Sequence, residues 1–147
     1  MSDLSVFISK SEKREIINSI REAEKNTSGE VRVHFENQCE KDPYQRAVEV
    51  FNLLNMHSTL LSNAVLVYIA IKDRKFAIIG DSGINNSVPK DFWESIKDGM
   101  NQHFTKNEIC KGICLAVVET GRKLKEYYPF KSDDINELDD EISYFDN

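Results

Sequence analysis

The chain has 147 residues, 40% of them hydrophobic, and a formal net charge of −6, which suits one hydrophobic core and leaves no room for a second domain. Residues 131–147 hold seven acids and one lysine, leaving 18 acids and 18 bases in residues 1–130, so no basic stripe exists to recruit nucleic acid or an anionic membrane. The longest uncharged apolar run, Ala64 to Ile71, is too short to span a bilayer, and the start MSDLSVFISKSEKRE has no leader-like apolar stretch, so the chain reads as a cytoplasmic protein without membrane insertion.

In chain order, Ser9 followed by Glu12 forms a capping-box pattern with Ile8 placed to staple, and Ile16, Ile17, Ile20 and Ala23 recur at helical spacing. The spacing predicts a first helix from Lys10 to Asn26. EVRVHFE then alternates, with Val31, Val33 and Phe35 on one face and Glu30, Arg32, His34 and Glu36 on the other, which is the pattern of a half-buried strand. Asp42, Pro43 and Gln45 supply an N-cap, a first-turn proline and an N3 partner for a second helix carrying Ala47, Val50, Phe51 and Leu54, which fades near Met56 and His57. AVLVYIA, residues 64–70, is apolar throughout, as a strand covered on both faces should be, and KDR turns it into a third strand from Lys75 to Gly80. Pro89 is expected to open a third helix with Phe92, Trp93, Ile96 and Met100, and Asn107 to cap a fourth that runs through Val117 to Leu124. An acidic tail follows Pro129.

This order predicts an α/β fold, a three-layer sandwich with a mixed β-sheet and helices on both faces. A helical crossover makes strands one and two parallel, and the short turn sets strand three antiparallel to both. The starts of strands one and two therefore share an edge with the end of strand three. That edge carries SGE at 28–30, SNA at 62–64 and GDSG at 80–83, with His57, Ser58 and Thr59 nearby. Asp81 is expected there on a turn that its two flanking glycines permit. The core is expected to include Val31, Val33, Phe35, Val65, Val67, Ile69, Ala77 and Ile79.

Two chemistries compete for this rim. In the first, Asp81 and Asn63, with Glu30 as a weaker ligand and Asp133, Asp134 and Glu137 from the tail, hold a divalent cation; calcium takes six to eight oxygens at roughly 2.3 to 2.6 Å and tolerates irregular loops. In the second, Asp81 and Asn63 do no more than close turns through their own backbones. No stretch matches the EF-hand loop, GDSG lacks the lysine and spacing of a P-loop, and no cysteine carries a C-x5-R phosphatase signature. Cys39, Cys110 and Cys114 fit reduced buried thiols better than zinc, and His103 near Cys110 does not complete a zinc spacing. His34 and His57 read as surface or capping histidines. The tail DDINELDDE is either a solvated terminus or, given Ile135, Leu138, Ile142, Tyr144 and Phe145, a segment docked by apolar anchors.

Three segments, SGEVRVHFE, AVEVFNLLNMHSTLLSNAVLVYIAIKDRKFAIIGDSGI and FWESIKDGMNQHFTKNEICKGICLAVVETGRKL, together resemble the TPM-domain family from about Lys13 to Tyr128. The polar loop before an apolar strand, the basic turn and GDSGI carry the resemblance most specifically. The family commonly has Asp-Asn-Gly where this chain reads Ser62, Asn63, Ala64, so one carboxylate is missing. The resemblance implies the α/β fold, calcium binding and at most a weak acid phosphatase activity, with residues 1–130 as the TPM-like domain and 131–147 as an acidic tail docked on it. It places the chain with a soluble bacterial subgroup without the membrane anchor of many relatives. A regulatory or interaction module with an as yet unknown protein partner is the reading that suits the tail, and a phosphatase acting on phosphomonoesters is its alternative.

Overall fold

A computed structural model describes residues 4–130 and 142–147. After a 3-10 turn at Leu4–Val6, the elements run α1 (Lys10–Asn26), β1 (Glu30–Glu36), α2 (Pro43–Leu53), β2 (Ala64–Ala70), β3 (Lys75–Gly80), α3 (Ser82–Ser87), α4 (Glu94–Thr105), α5 (Ile109–Leu124) and β4 (Ser143–Phe145), with a second 3-10 turn at Met56–Ser58. The helix caps behave as their residue types demand. Ser9 and Glu12 close the capping box of α1, each side chain bonding the other's backbone N–H, and Asp42 accepts the Gln45 N–H at the start of α2.

The sheet order is β3-β2-β1-β4, with β1 parallel to β2 and β4, and β2 antiparallel to β3. Alternation on the strands divides the interior in two. Val31, Val33, Phe35, Val65, Val67, Ile69 and Ile78 face α1, α4 and α5, meeting Ile16, Ile20, Ile96, Met100, Ile113 and Val117. Leu66, Tyr68, Ala77 and Ile79 face the other way, against Ala47, Val50 and Phe51 of α2. The predicted core residues are all buried, but Ala77 and Ile79 belong to the second core rather than the first. Every residue of β2 is buried, as its unbroken apolar run requires of a strand covered on both faces. Gly121 lets α5 lie against α1: a Cβ there would stand 2.6 Å from Cα of Ala23.

Four expectations need correction. The chain forms a short helix, α3, directly after β3, and the next helix begins at Glu94 rather than at Pro89. Asn107 does not cap α5; it takes the left-handed conformation (φ 61°) in the turn, and Glu108 is the cap position. The second face of β1 is not solvated: Glu30, His34 and Glu36 are all buried, Glu36 against Arg46 of α2 and His34 against Ser143 and Phe145 at the end of the chain. A fourth strand, β4, had no signal in a run too short to alternate, and pairing with β1 creates it. Among the described residues no helix is long and apolar enough to cross a membrane.

Candidate functional site

Backbone bonds knit the three rim segments together. Glu30 N–H donates to the Asn63 carbonyl (3.3 Å), Asp81 N–H donates to the Ala64 carbonyl (2.9 Å), and Asn63 N–H donates to Thr59 Oγ1 (3.2 Å). The register pairs Glu30 with Ala64 and Val65 with Gly80, so Glu30 and Asp81 flank β2 about two strand spacings apart, or ~9.6 Å. The other end of the domain's chain reaches the same edge, where Pro129 bridges Thr27 and the Tyr128 carbonyl accepts from the N–H of Ser28 and the hydroxyl of Thr27.

Asp81 is the N-cap of α3, its Oδ1 accepting from the Ser82 N–H at 2.7 Å. The same Oδ1 lies 3.0 Å from Nδ1 of His57, whose Nε2 lies 2.6 Å from Oδ1 of Asn52. A bond at each ring nitrogen fixes the ring's orientation although more than half of the side chain is exposed. His57 is thus the carboxylate's partner, not the isolated capping histidine that its place at a helix end suggested. The glycines beside Asp81 also have a different role from the one expected, since no glycine has a positive φ. What position 83 requires is close approach: a Cβ there would stand 2.4 Å from the Leu61 carbonyl oxygen and 2.5 Å from that of Ser62. The tightening on the facing loop is taken up by Ser62, a non-glycine residue at φ 50°.

One polar group at this edge is satisfied on one side only. Oδ2 of Asp81 and both Oδ1 and Nδ2 of Asn63 are buried with no hydrogen-bond partner among the described residues. A buried polar atom left unpaired costs about 1–3 kcal/mol, so two such side chains at one edge call for an explanation. Glu30 is also buried beside them. Asp81, Asn63 and Glu30 are therefore brought to one edge as expected, and their oxygens are of the hard type that calcium or magnesium accepts. Among the described residues no three His, Cys, Asp or Glu side chains are gathered as a metal site, because Asn63 supplies an amide and Glu30 stands two strands from Asp81. Asp133, Asp134 and Glu137 lie outside the described residues.

A second cluster escaped the sequence reading. On the α2 side of β1, the Glu36 carboxylate accepts from Nε (2.8 Å) and Nη2 (3.1 Å) of Arg46 and from the Tyr68 hydroxyl (2.5 Å), and lies 3.2 Å from Nε2 of His34. Burial alone would raise its pKa, but the bonds from His34, Arg46 and Tyr68 outweigh burial and hold it at about 2. His34 is lowered, by burial first and against the pull of Glu36, and so is neutral. Nε2–H then donates to Glu36 and Nδ1 accepts from the Ser143 hydroxyl at 2.7 Å. Tyr68 was the available signal, a lone hydroxyl in an otherwise apolar strand, standing in register with His34.

The family model for the TPM domain matches residues 1–125. The chain is similar to the BA42 protein of the psychrophilic bacterium Bizionia argentinensis, known from an NMR structure: TM-score 0.91, 41% identity, 99% of this chain and 100% of that one covered. It is similar in fold, at 13% identity and a TM-score of 0.60 over 92% of this chain and 79% of the other, to the N-terminal domain of the cg2496 protein of Corynebacterium glutamicum. No curated protein matches.

Proposed function

Because the chain belongs to the TPM-domain family, we propose that it is a calcium-binding member whose ion organises a surface for another protein. The observation that carries this reading is the set of buried, unpartnered oxygens on Asp81 and Asn63 at one sheet edge. Asp81 and Asn63 would hold the ion, with Glu30 contributing charge from β1 and Asp133, Asp134 and Glu137 of the tail as further ligands. The bound ion would supply positive charge to acceptors that otherwise have none, and His57 would keep Asp81 oriented toward it. An interaction role is supported by Leu60 and Leu61, exposed on the loop that packs its carbonyls over Gly83.

The second reading, a weak metal-dependent acid phosphatase acting on phosphomonoesters, draws its support from the half-exposed His57 beside Asp81, a pair with the elements of acid–base chemistry. The missing carboxylate at Ser62 weighs against it.

Calcium added to chelator-stripped protein should raise Tm. At a hundredfold excess over Kd, mass action contributes about 2.7 kcal/mol, or several degrees for a chain of this size. Asp81→Ala should abolish the response, and deleting residues 131–141 should weaken it if the tail supplies ligands. A parent protein indifferent to calcium, or an Asp81→Ala variant responding as fully as the parent, overturns the site. Turnover of p-nitrophenyl phosphate well above an Asp81→Asn control would move the assignment to phosphatase.

A further inference from the structure

Away from GDSG in the chain, α5 presents two thiols one turn apart. Cys110 and Cys114 share a helix face by their i, i+4 spacing, and their Sγ atoms lie 4.0 Å apart, unbonded. Cys110 Sγ lies 3.4 Å from Oε2 of Glu15 on α1 and 3.7 Å from the Glu12 carbonyl oxygen. A cavity of about 480 Å³ opens over the pair, and its ionisable lining, besides the thiols, is Glu12, Glu15, Glu108 and Lys111. Three carboxylates stand there against one ammonium.

We propose that this cleft binds one thiophilic divalent cation of the zinc or cadmium type, with Cys110 and Cys114 as thiolate ligands, Glu15 as an oxygen ligand and the fourth position open to water from the cavity. Tetrahedral geometry sets the test. Two sulfurs each about 2.3 Å from such an ion stand ~3.8 Å apart, and a sulfur and a carboxylate oxygen stand ~3.5 Å apart. The observed 4.0 and 3.4 Å are each within a few tenths of an ångström of those edges. A linear two-coordinate ion would need the sulfurs about 4.6 Å apart, by the same bond length. Among the described residues no three metal-binding side chains are already gathered, so the set closes on binding, with Glu15, an exposed side chain bonded to Cys110, swinging to meet the ion.

Three carboxylates against one ammonium favour a cation in the cleft. An incoming ion forms two metal–sulfur bonds and releases the two thiol protons to solvent, with no change in oxidation state, so affinity should climb steeply as pH rises. Calcium, a hard ion that prefers oxygen, should not compete. The sequence gives little warning of this site, because the oxygen ligand comes from another helix 95 residues away.

The test is a titration of reduced, chelator-stripped, full-length protein with cadmium in the presence of excess calcium, read by the ultraviolet thiolate-to-cadmium charge-transfer band. The band should saturate at one equivalent and zinc should displace it. Cys110→Ser and Cys114→Ser should each weaken binding at least tenfold, Glu15→Gln about tenfold, and Cys39→Ser should leave it unchanged. Cys114 is only partly buried, so its serine variant should keep the parent's circular dichroism and separates loss of ligand from loss of fold. Absence of the band in the parent, an equal band in the Cys110→Ser/Cys114→Ser double variant, or displacement by calcium would overturn the proposal.

Discussion

Glu36 is wholly buried, yet each of its oxygens has two partners: His34 and Arg46 Nη2 at Oε1, Tyr68 and Arg46 Nε at Oε2. A carboxylate offers about four lone-pair directions, and here all are engaged, which is the condition under which a buried charge is tolerated. Glu36→Gln keeps the shape but removes the charge facing Arg46 and replaces two acceptor directions by donors that point at donors. It should destabilise the protein by about 3–5 kcal/mol in urea unfolding. Tyr68→Phe removes a single bond to the same carboxylate and should cost about 1.5–3 kcal/mol. Equal, small losses in both would mean that the network contributes little beyond packing. In the sequence these residues looked like the wet face of an alternating strand. Alternation reports which residues share a face, and only the elements packed on that face decide whether it is dry.

The last strand shows how an element can depend wholly on its partner. β4 has three residues, and its hold on β1 comes as much from side chains as from the ladder: Asn147 Oδ1 accepts from the N–H of Asn37 and of Gln38 at 2.9 Å, Asn147 Nδ2 donates to the Gln38 carbonyl at 2.8 Å, and Asn37 Nδ2 donates to the Tyr144 hydroxyl and to Asp146. Phe145 adds an edge-on contact to the His34 ring, 4.4 Å between centroids. β4 meets β1 at His34–Glu36, whereas Pro129 meets Thr27 before β1 begins, so the described ends of the tail lie at opposite ends of that strand. A chain ending at Glu141 should lose about 3 kcal/mol, from several hydrogen bonds at about 1 kcal/mol each and part of a phenylalanine's burial. It should also expose β1 as an unprotected edge and associate at high concentration, visible by light scattering. A truncated chain as stable and as monomeric as the parent would show β4 to be ornamental.

For the whole molecule, the two shifted groups of the buried network set the acid limb of stability. His34 has a lowered pKa, so its contribution is complete above its ordinary 6.5 and declines as pH falls below that value. Glu36 is lowered from 4.5 to about 2, so its contribution is complete above 4.5 and is lost progressively as pH falls toward 2. The charged groups that bear on His34 are Glu36, Arg46 and Arg32, with Tyr68 stacked nearby. Unfolding free energy should therefore be level above about pH 7, fall gently toward pH 5 and fall more steeply below pH 4.5, the lower limb carrying up to about 3 kcal/mol. In His34→Asn the slope between pH 7 and 5 should vanish while the steep limb remains. A variant that keeps the upper slope would remove His34 as its source.

The order of β1 to β3 and of the longer helices, most of their ends and the directions of the β1–β2 and β2–β3 pairings could be read from the chain because their causes are local: the Ser9–Glu12 box, Asp42 and Pro43, the apolar period of α1 and the short KDR turn. The same topology is enough to place Glu30, Asn63 and Asp81 at one edge. Three features waited on tertiary structure. α3 is six residues long with little apolar periodicity, and it exists because Gly83 can settle on the carbonyls of Leu61 and Ser62. The Glu36 network and the Cys110–Glu15 contact join residues from elements far apart in sequence, whose side chains meet only after the layers have packed. Periodicity fixes which way a residue faces along its own element; what it meets there depends on the distance and angle between elements, and those are set by the collective packing of both cores.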